Sequence, residues 1–553
     1  MLRSEPLPPV PAGTARTARA AFPKGHPYLA AADALGEVFT DETFTALFPR
    51  RGQPAFAPWR LALATLLQFA EGLSDRQATD AVRARLDWKY VLRLELDNAG
   101  FDALILCEFR CRLAAGEAEW LLFEAVLAWA RTGQLLRARG RQRTDSTHVL
   151  AAVRALNRIE IVGETLRHAL ECLAVASPDW LRARRRPDWG ERFGRRLEDA
   201  ALPKGRAARG AFAVLVGGDG HALLAAVYAP DAPTWLREIP AVETLRRVWV
   251  QQFHLDGGAG RWRAADDIPP ASVFIGSPYD TDAHYARKGT TSWVGYKIHV
   301  TEACDDDAPR LITHVETTTA PVVDAAALPA IHQALHGRDL LPAIQLVDSG
   351  YHDAPQIVAA REDHAIALRG PARPDYQWQA RAQNGFALDN FHLDWEGEQA
   401  TCPVGKTSIS WRQRPDPAGR PLIWVKFSSK GCGPCPSRPA CCRAQDRSPR
   451  RTLCLRPRAQ FEALRAARQR ESTTTTGEMY ALRAGIEGTL ARGIRRCRLR
   501  RTRYRGQPKV HLGHILAATG LNFLRLGEWF ADTPRRKPPR SPFARLLAEP
   551  VAA

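Results

Sequence analysis

Apolar residues recur with two different periods along the chain, and the change between them divides it. Up to residue 135 the period is helical. Pro58 opens a run in which Leu61, Leu63, Leu66, Leu67 and Ala70 precede Gly72, with proline in the first turn and glycine after the last. Ser74, with Gln77 three residues on, reads as a capping box for a second helix through Asp87. The connector of three residues suits either a plain packed pair or a DNA-binding helix-turn-helix. Trp120 to Ala130 gives a further amphipathic helix. Residues 27–135 are therefore expected to form a helical N-terminal domain, and the Pro- and Ala-rich residues 1–26 to lack stable order.

Residues 150 to about 200 again read as helix, whereas 200–280, rich in Gly, Pro and Trp, shows no clear period. From residue 293 the period becomes two. Val294, Tyr296, Ile298 and Val300 alternate with Gly295, Lys297 and His299, a strand with one buried face. Leu311 to Glu316 is a second strand. Asp324 is placed to cap a helix carrying Leu328, Ile331 and Leu335 and stopped by Gly337, with Pro329 as an irregularity. Ala343–Val347 and Ala365–Leu368 are short apolar runs of strand length. Strand, strand, helix, strand, helix, strand is an α/β pattern with a mixed sheet flanked by helices. Ligands of such sheets sit outside the carboxyl ends of the strands, where Asp348 falls in a DSG turn. The plain alternative for Asp348 is a turn former. Asp145, after a basic stretch, reads most simply as the cap of a helix starting at Thr147.

Between 373 and 460 the alternation lapses and Cys402, Cys432, Cys435, Cys441 and Cys442 gather, with Cys432 and Cys435 in a CxxC. Cys402, Cys432, Cys435 and Cys441 are candidate ligands of a structural Zn²⁺, against the alternative of reduced, unliganded thiols in an inserted subdomain. From Met479 to Gln507 a helical run places Tyr480, Arg483 and Glu487 on one face, with Ala491 and Ile494 extending the stripe. An acid between a cation and an aromatic suits metal and phosphate chemistry, although Arg483 and Glu487 at i,i+4 could be a simple surface pair. Arg492, Arg495, Arg496, Arg498, Arg500, Arg501, Arg503, Arg505 and Lys509 follow without an intervening acid. Residues 510–530 read as a closing helix, and 532–553 as a basic tail.

A chain of 553 residues exceeds one core, so two to four units are expected. The formal charge of +19 points to a polyanion, first of all nucleic acid. No apolar run looks long enough to span a bilayer and the N-terminus has no secretory-signal core, so a cytoplasmic protein without membrane contact is expected. Eleven cysteines, an odd number unevenly spread, argue against a disulfide scaffold.

Four stretches carry a resemblance. TDSTHVLAAVRALNRIE, SPYDTDAHYARKGTTSWVGYKIHVTEACD, VDSGYHDA and GIEGTLARGIRRCRLRRTRYRG resemble, in order, the landmarks of DDE transposases of bacterial insertion sequences, specifically the eleven-eighty-two branch. The likeness implies a ribonuclease-H-like catalytic domain whose catalytic, metal-holding acids are Asp145, Asp348 and Glu487. It implies a first part at 136–372 with a helical insertion at about 150–280, an inserted cysteine-bearing subdomain at 373–460, and a last part at 461–531. Tyr480, Arg483 and Glu487 match three members of the tyrosine, arginine, glutamate, lysine motif of related transposases. Ile494 stands at the lysine position, with Arg495 one residue later. Tyr480, Arg483, Arg495, Arg500 and Arg501 are then the implied DNA contacts, and two Mg²⁺ ions, with Mn²⁺ as substitute, the implied cofactors. Two such ions roughly 3.5–4 Å apart stabilise both the attacking and the leaving oxygen of a phosphodiester. Implied partners are double-stranded DNA, as element ends and target, and a second copy in a synaptic homodimer, nucleoid-associated when active. The alternatives are a DNA-binding protein or an inactive transposase relic without cleavage, stabilised by zinc.

Overall fold

The structure, a computed structural model, describes residues 1–2, 4–198, 202–256, 259–382, 384–443, 449–471, 474–533 and 541–543. Its strands are β1 (Arg141–Leu150), β2 (Phe253–Asp256), β3 (Ala259–Trp262), β4 (His284–Lys288), β5 (Thr291–Ala303), β6 (Ile312–Thr319), β7 (Ile344–Val347) and β8 (Ala367–Arg369). There follow β9 (His392–Asp394), β10 (Gln399–Thr401), β11 (Ser410–Gln413), β12 (Ile423–Lys426) and β13 (Thr452–Leu455). The main sheet is mixed, in the order β4-β5-β1-β7-β8, with β6 also paired to β5. β5 is antiparallel to β1, β4 and β6, whereas β1, β7 and β8 run parallel. The expected mixed α/β sheet is present.

The N-terminal region is helical, as expected. Pro58–Glu71 starts on its proline and ends at Gly72, whose left-handed φ of 65° closes the helix. The Ser74–Gln77 capping box forms, with Ser74 N–H donating to Gln77 Oε1 at 2.9 Å and Gln77 N–H to Ser74 Oγ at 3.3 Å. That helix stops at Ala84 rather than Asp87, because Arg85 turns extended and a new helix begins at Leu86. The first 26 residues, expected without order, contain the helix Ala12–Ala21, anchored by buried Ala18 against Leu29 and Tyr90. The helices around Trp59, Phe109 and Phe123 share one core with the closing helix Gln507–Phe530 and the β5 and β6 residues Ile298, Val300 and Val315.

A second core fills the region between β1 and β4, from Ile161 in the helix Arg158–Ala176 to Ile275. The unparsed stretch at 200–280 holds the helices Arg206–Val227 and Pro240–Gln252 and the β2–β3 hairpin. Arg206–Val227 corrects the expectation that no run could span a bilayer: by length and apolar composition it could. Here it packs on Arg158–Ala176 and Pro240–Gln252, and its Asp219, fully buried, takes salt bridges from Arg186 at 3.0 Å and Arg192 at 2.8 Å. A side chain at Gly220 would run into the Trp249 ring, so the two helices meet over glycine. The basic tail falls largely outside the described residues.

β5 departs from its expected form. It is buried on both faces from Ile298 onward, with His299, Thr301 and Glu302 fully enclosed. His299 shares hydrogen bonds with the Tyr351 hydroxyl and, at 3.1 Å, with Thr318 Oγ1. A third core, including Leu328, Val347, Tyr351 and Ala463, closes the sheet face covered by Asp324–Gly337, Ala354–His364 and Arg458–Glu471.

Candidate active site

Asp145 lies in the middle of β1, not at a helix cap, because Thr147 continues the strand opposite Ile298. β1 and β7 pair in parallel register through Thr144 and Val347. Asp145 and Asp348 are each the next residue after that pair, so the parallel register sets the two acids side by side. β7 ends there because Asp348 Oδ1 accepts the Gly350 N–H at 2.8 Å, the turn that the DSG sequence favours.

Glu487 arrives from the other side of the chain. The expected continuous helix is interrupted by a 3₁₀ turn, Leu482–Ala484, between Thr474–Ala481 and Gly485–Arg496. Arg483 sits in that turn and bridges the acids: its Nη2 donates to Asp145 Oδ2 at 2.6 Å and its Nη1 to Glu487 Oε1 at 3.2 Å. Asp145 is largely enclosed, with 12 % of its side chain exposed, whereas 65 % of Glu487 faces solvent. Two anchors fix the turn and helix on the sheet. Arg143 donates to the Leu482 carbonyl, and Thr489 Oγ1 donates to Glu302 Oε2 at 2.7 Å. Glu302 also holds Arg143 at 2.6 Å and Arg525 at 2.8 Å.

Helix and strand approach closely at Gly485, where any Cβ would collide with the Arg143 guanidinium. Gly485→Ala is expected to force this contact apart and lower stability by about 1–3 kcal/mol, the usual scale of overpacking. Urea unfolding checks it, and a variant as stable as the parent would show that the contact is loose.

Burial pushes the Asp145 carboxyl up to about 6. Arg483 and the Ser146 N–H oppose the rise, while neighbouring Asp348 adds to it. Tyr480 is also raised, by burial first, with Arg483 opposing and Asp348 and Asp145 adding. Burial works against the charge on Arg483, but Asp145, Tyr480, Asp348 and Glu487 outweigh it and its pKa rises. Because the folded Asp145 lies above its ordinary 3.8, its contribution to stability is complete below about pH 4 and is lost as pH rises through about 6. Asp145→Asn should therefore flatten the rise in melting temperature between pH 7 and pH 5. An unchanged pH slope in the variant would contradict the buried placement.

One acid beside this pair escaped sequence reasoning. Asp324 is the first residue of its helix rather than its cap, which is Val323. Its carboxylate accepts from Ser146 Oγ at 3.2 Å and from Lys297 Nζ at 3.0 Å, next to Asp145 on β1. The Cβ position of Gly350 lies 3.0 Å from both Asp324 and Asp348. The lysine–serine–aspartate contact joins residues distant in sequence, and no local spacing marks it.

Family models match two separate stretches of the chain. One, described as a Transposase DDE domain, covers residues 401–527, and another, described as a Transposase domain (DUF772), covers residues 16–112. Together the two matches indicate a DDE-type transposase of insertion-sequence type. No curated protein and no solved structure matches it. The DDE match takes in Arg483, Glu487 and the basic ribbon, while Asp145 and Asp348 lie outside it and join them only through the sheet register. DDE domains in general depend on a divalent metal. Among the described residues, no three His, Cys, Asp or Glu side chains are gathered closely enough to hold one. Asp145 and Asp348 adjoin, and Glu487 is joined to Asp145 through Arg483.

The basic ribbon runs alongside the end of β1. Leu150 N–H donates to the Arg500 carbonyl at 2.8 Å, and Thr502 N–H to the Leu150 carbonyl at 3.0 Å. Arg495, Arg500 and Arg501 are exposed, whereas Ile494 packs on the core, so Arg495 rather than Ile494 points a polar group outward. Arg492 is taken by Glu528 at 2.8 Å. Tyr480 is half-buried beside His352 and Leu368. Far from these acids, Cys402, Cys432, Cys435, Cys441 and Cys442, all free thiols, line one cavity of about 50 Å³ in the small β9–β13 region.

Proposed function

We propose that this transposase binds the inverted-repeat ends of its insertion sequence, hydrolyses the DNA there, and uses the freed 3′-hydroxyl to attack target DNA. The observation that carries the reading is Arg483 tying Glu487 to Asp145 in mid-β1, beside the end of β7 where Asp348 lies alongside. The sheet supports a ribonuclease-H-like reading of the catalytic domain: three consecutive antiparallel strands, β1, β5 and β6, are followed by parallel β7 and β8 on the far side of β1.

Asp145, Asp348 and Glu487 are the residues that would hold the metal. Their donor set fits, because hard carboxylate oxygens suit Mg²⁺ or Mn²⁺, and a cation would offset both the burial of Asp145, which chiefly raises it, and the charge of Asp348 beside it. Bound there, divalent ions would supply charge stabilisation on the attacking and leaving oxygens. The remaining work belongs to the chain. Arg483 keeps Asp145 and Glu487 in register, and its planar fork suits a phosphate of the bound strand. Tyr480 provides a ring for stacking on a base or sugar. Arg495, Arg500 and Arg501 hold backbone phosphates, so affinity falls steeply with salt. Asp324 steadies Ser146 beside Asp145 and the turn after Asp348. Pairing two element ends calls for a second copy, and the work is done on the chromosome in the cytoplasm.

The test is joining. A labelled duplex ending in the element's precut 3′-hydroxyl is incubated with supercoiled plasmid, protein and Mg²⁺. The expected product is label covalently attached to nicked or linear plasmid. Duplex binding with neither joining nor cutting, in Mg²⁺ and in Mn²⁺, would instead favour a DNA-binding relic.

A further inference from the structure

The region from β9 to β13 carries chemistry that phosphodiester cleavage does not use. Its core is small, seven buried residues including Phe391, Val425, Phe427 and Leu455. A unit of this size commonly needs a disulfide or metal staple. Five of its six cysteines, all but the exposed Cys454, come from three separate places and surround one cavity of about 50 Å³, room for one or two water-sized particles. Cys402 follows β10 in a turn where Gly405 N–H reaches the Cys402 carbonyl at 2.8 Å and Lys406 N–H points at Cys402 Sγ at 3.4 Å. An amide aimed at sulfur favours the thiolate. Cys432 and Cys435 flank a second turn, closed by Cys435 N–H on the Cys432 carbonyl at 3.3 Å. Cys441 ends the short helix Arg438–Cys441. Cys442 also lines the cavity, but its Sγ is engaged by the Arg450 carbonyl at 3.1 Å.

A second, independent observation is a buried cation. Arg451 is 6 % exposed and lines the same cavity. Its Nη1 donates to the Cys441 carbonyl at 3.1 Å, its Nε has no hydrogen-bond partner, and among the described residues no carboxylate forms an ion pair with it. Buried charges are ordinarily paired. Four thiolates on Zn²⁺ carry a net charge of −2, which would add to the attraction that Asp375 already exerts on Arg451.

We propose that Cys402, Cys432, Cys435 and Cys441 bind one structural Zn²⁺ tetrahedrally, tying the turn after β10 to the two turns between β12 and β13. Among the described residues the thiols border the cavity without being gathered to ligand distance, and a tetrahedral site would require Zn–S distances of about 2.3 Å. Binding releases the four thiol protons to solvent. Cys442 stays outside the set, bonded to Arg450.

Full-length protein, purified without chelator or affinity-bound metal, is assayed for zinc by elemental mass spectrometry. It is then exchanged into Co²⁺ and its absorption recorded. The expected result is one zinc per chain, with a cobalt form showing thiolate charge-transfer and tetrahedral ligand-field bands. Cys435→Ser should lower zinc content at least tenfold, while Cys442→Ser and the distant Cys107→Ser keep it. Wild-type protein with less than a tenth of an equivalent of zinc after growth in zinc-supplemented medium, and no cobalt thiolate band, overturns the proposal even if Cys435→Ser fails to fold. So does retention of zinc by soluble Cys435→Ser. Neither readout involves DNA cleavage, so the outcome is separate from that of the joining assay.

Discussion

Alanine at Asp145, Asp348 or Glu487 is expected to reduce cleavage of an element end by at least a factor of about a thousand, equivalent to roughly 4 kcal/mol of transition-state stabilisation. Duplex binding should survive in all three, because the exposed Arg495, Arg500 and Arg501 lie on a separate segment and remain intact. Removing an acid also relieves its repulsion of phosphate. Glu487→Ala is the most informative of the set. Its carboxylate is the exposed one and touches Asp145 only through Arg483, so a merely structural role would leave cutting near normal. Gel-shift and nicking assays on one labelled duplex separate the two effects. Cutting that survives at near-normal rate in any variant removes that acid from the centre.

The second large effect is expected on β5, two register positions along from the residue paired with Asp145. Glu302 is fully buried and accepts from Arg143, Arg525 and Thr489 together. Glu302→Ala leaves two largely enclosed guanidinium groups without their carboxylate and frees the Gly485–Arg496 helix from β5. Removing one partner of such a buried pair costs about 3–5 kcal/mol. Denaturant unfolding, or loss of soluble protein, measures it against Glu362→Ala, whose pair with Arg361 is exposed and should shift stability by less than about 0.5 kcal/mol. A loss below about 1 kcal/mol for Glu302→Ala would show that the helix carrying Glu487 is held by other contacts.

Strands with an apolar alternation were legible in the sequence: Val294 to Val300 lies within β5, and Ala343–Val347 covers β7. β1 was not, because Val149 is the one apolar residue it buries beside Gln142, Arg143, Thr144 and Asp145, and a strand burying mostly polar side chains leaves no hydrophobic period. Asp145 consequently looked like a helix cap, and only the landmarks around it gave it a role. The helix Arg206–Val227 was hidden by the opposite fault. Its buried face mixes Gly217, Asp219 and Gly220 with Val216, Leu223 and Val227, while Val214 and Leu215 are exposed, so no clean amphipathic stripe appears. Spacing alone placed Arg483 and Glu487 together, and their ion pair forms although the helix breaks between Tyr480 and Glu487. Asp324 and Glu302 depend on partners in other strands and helices, and such contacts become visible only when the sheet is assembled.

The most direct test of the acid centre uses an uncut labelled duplex carrying the element's own end, incubated with purified protein in Mg²⁺ or in EDTA, beside Asp348→Ala. The account predicts nicking at the element boundary in Mg²⁺, none in EDTA, and none with Asp348→Ala at matched duplex binding. Nicking that persists in EDTA or in Asp348→Ala would contradict a metal-dependent centre built on these acids.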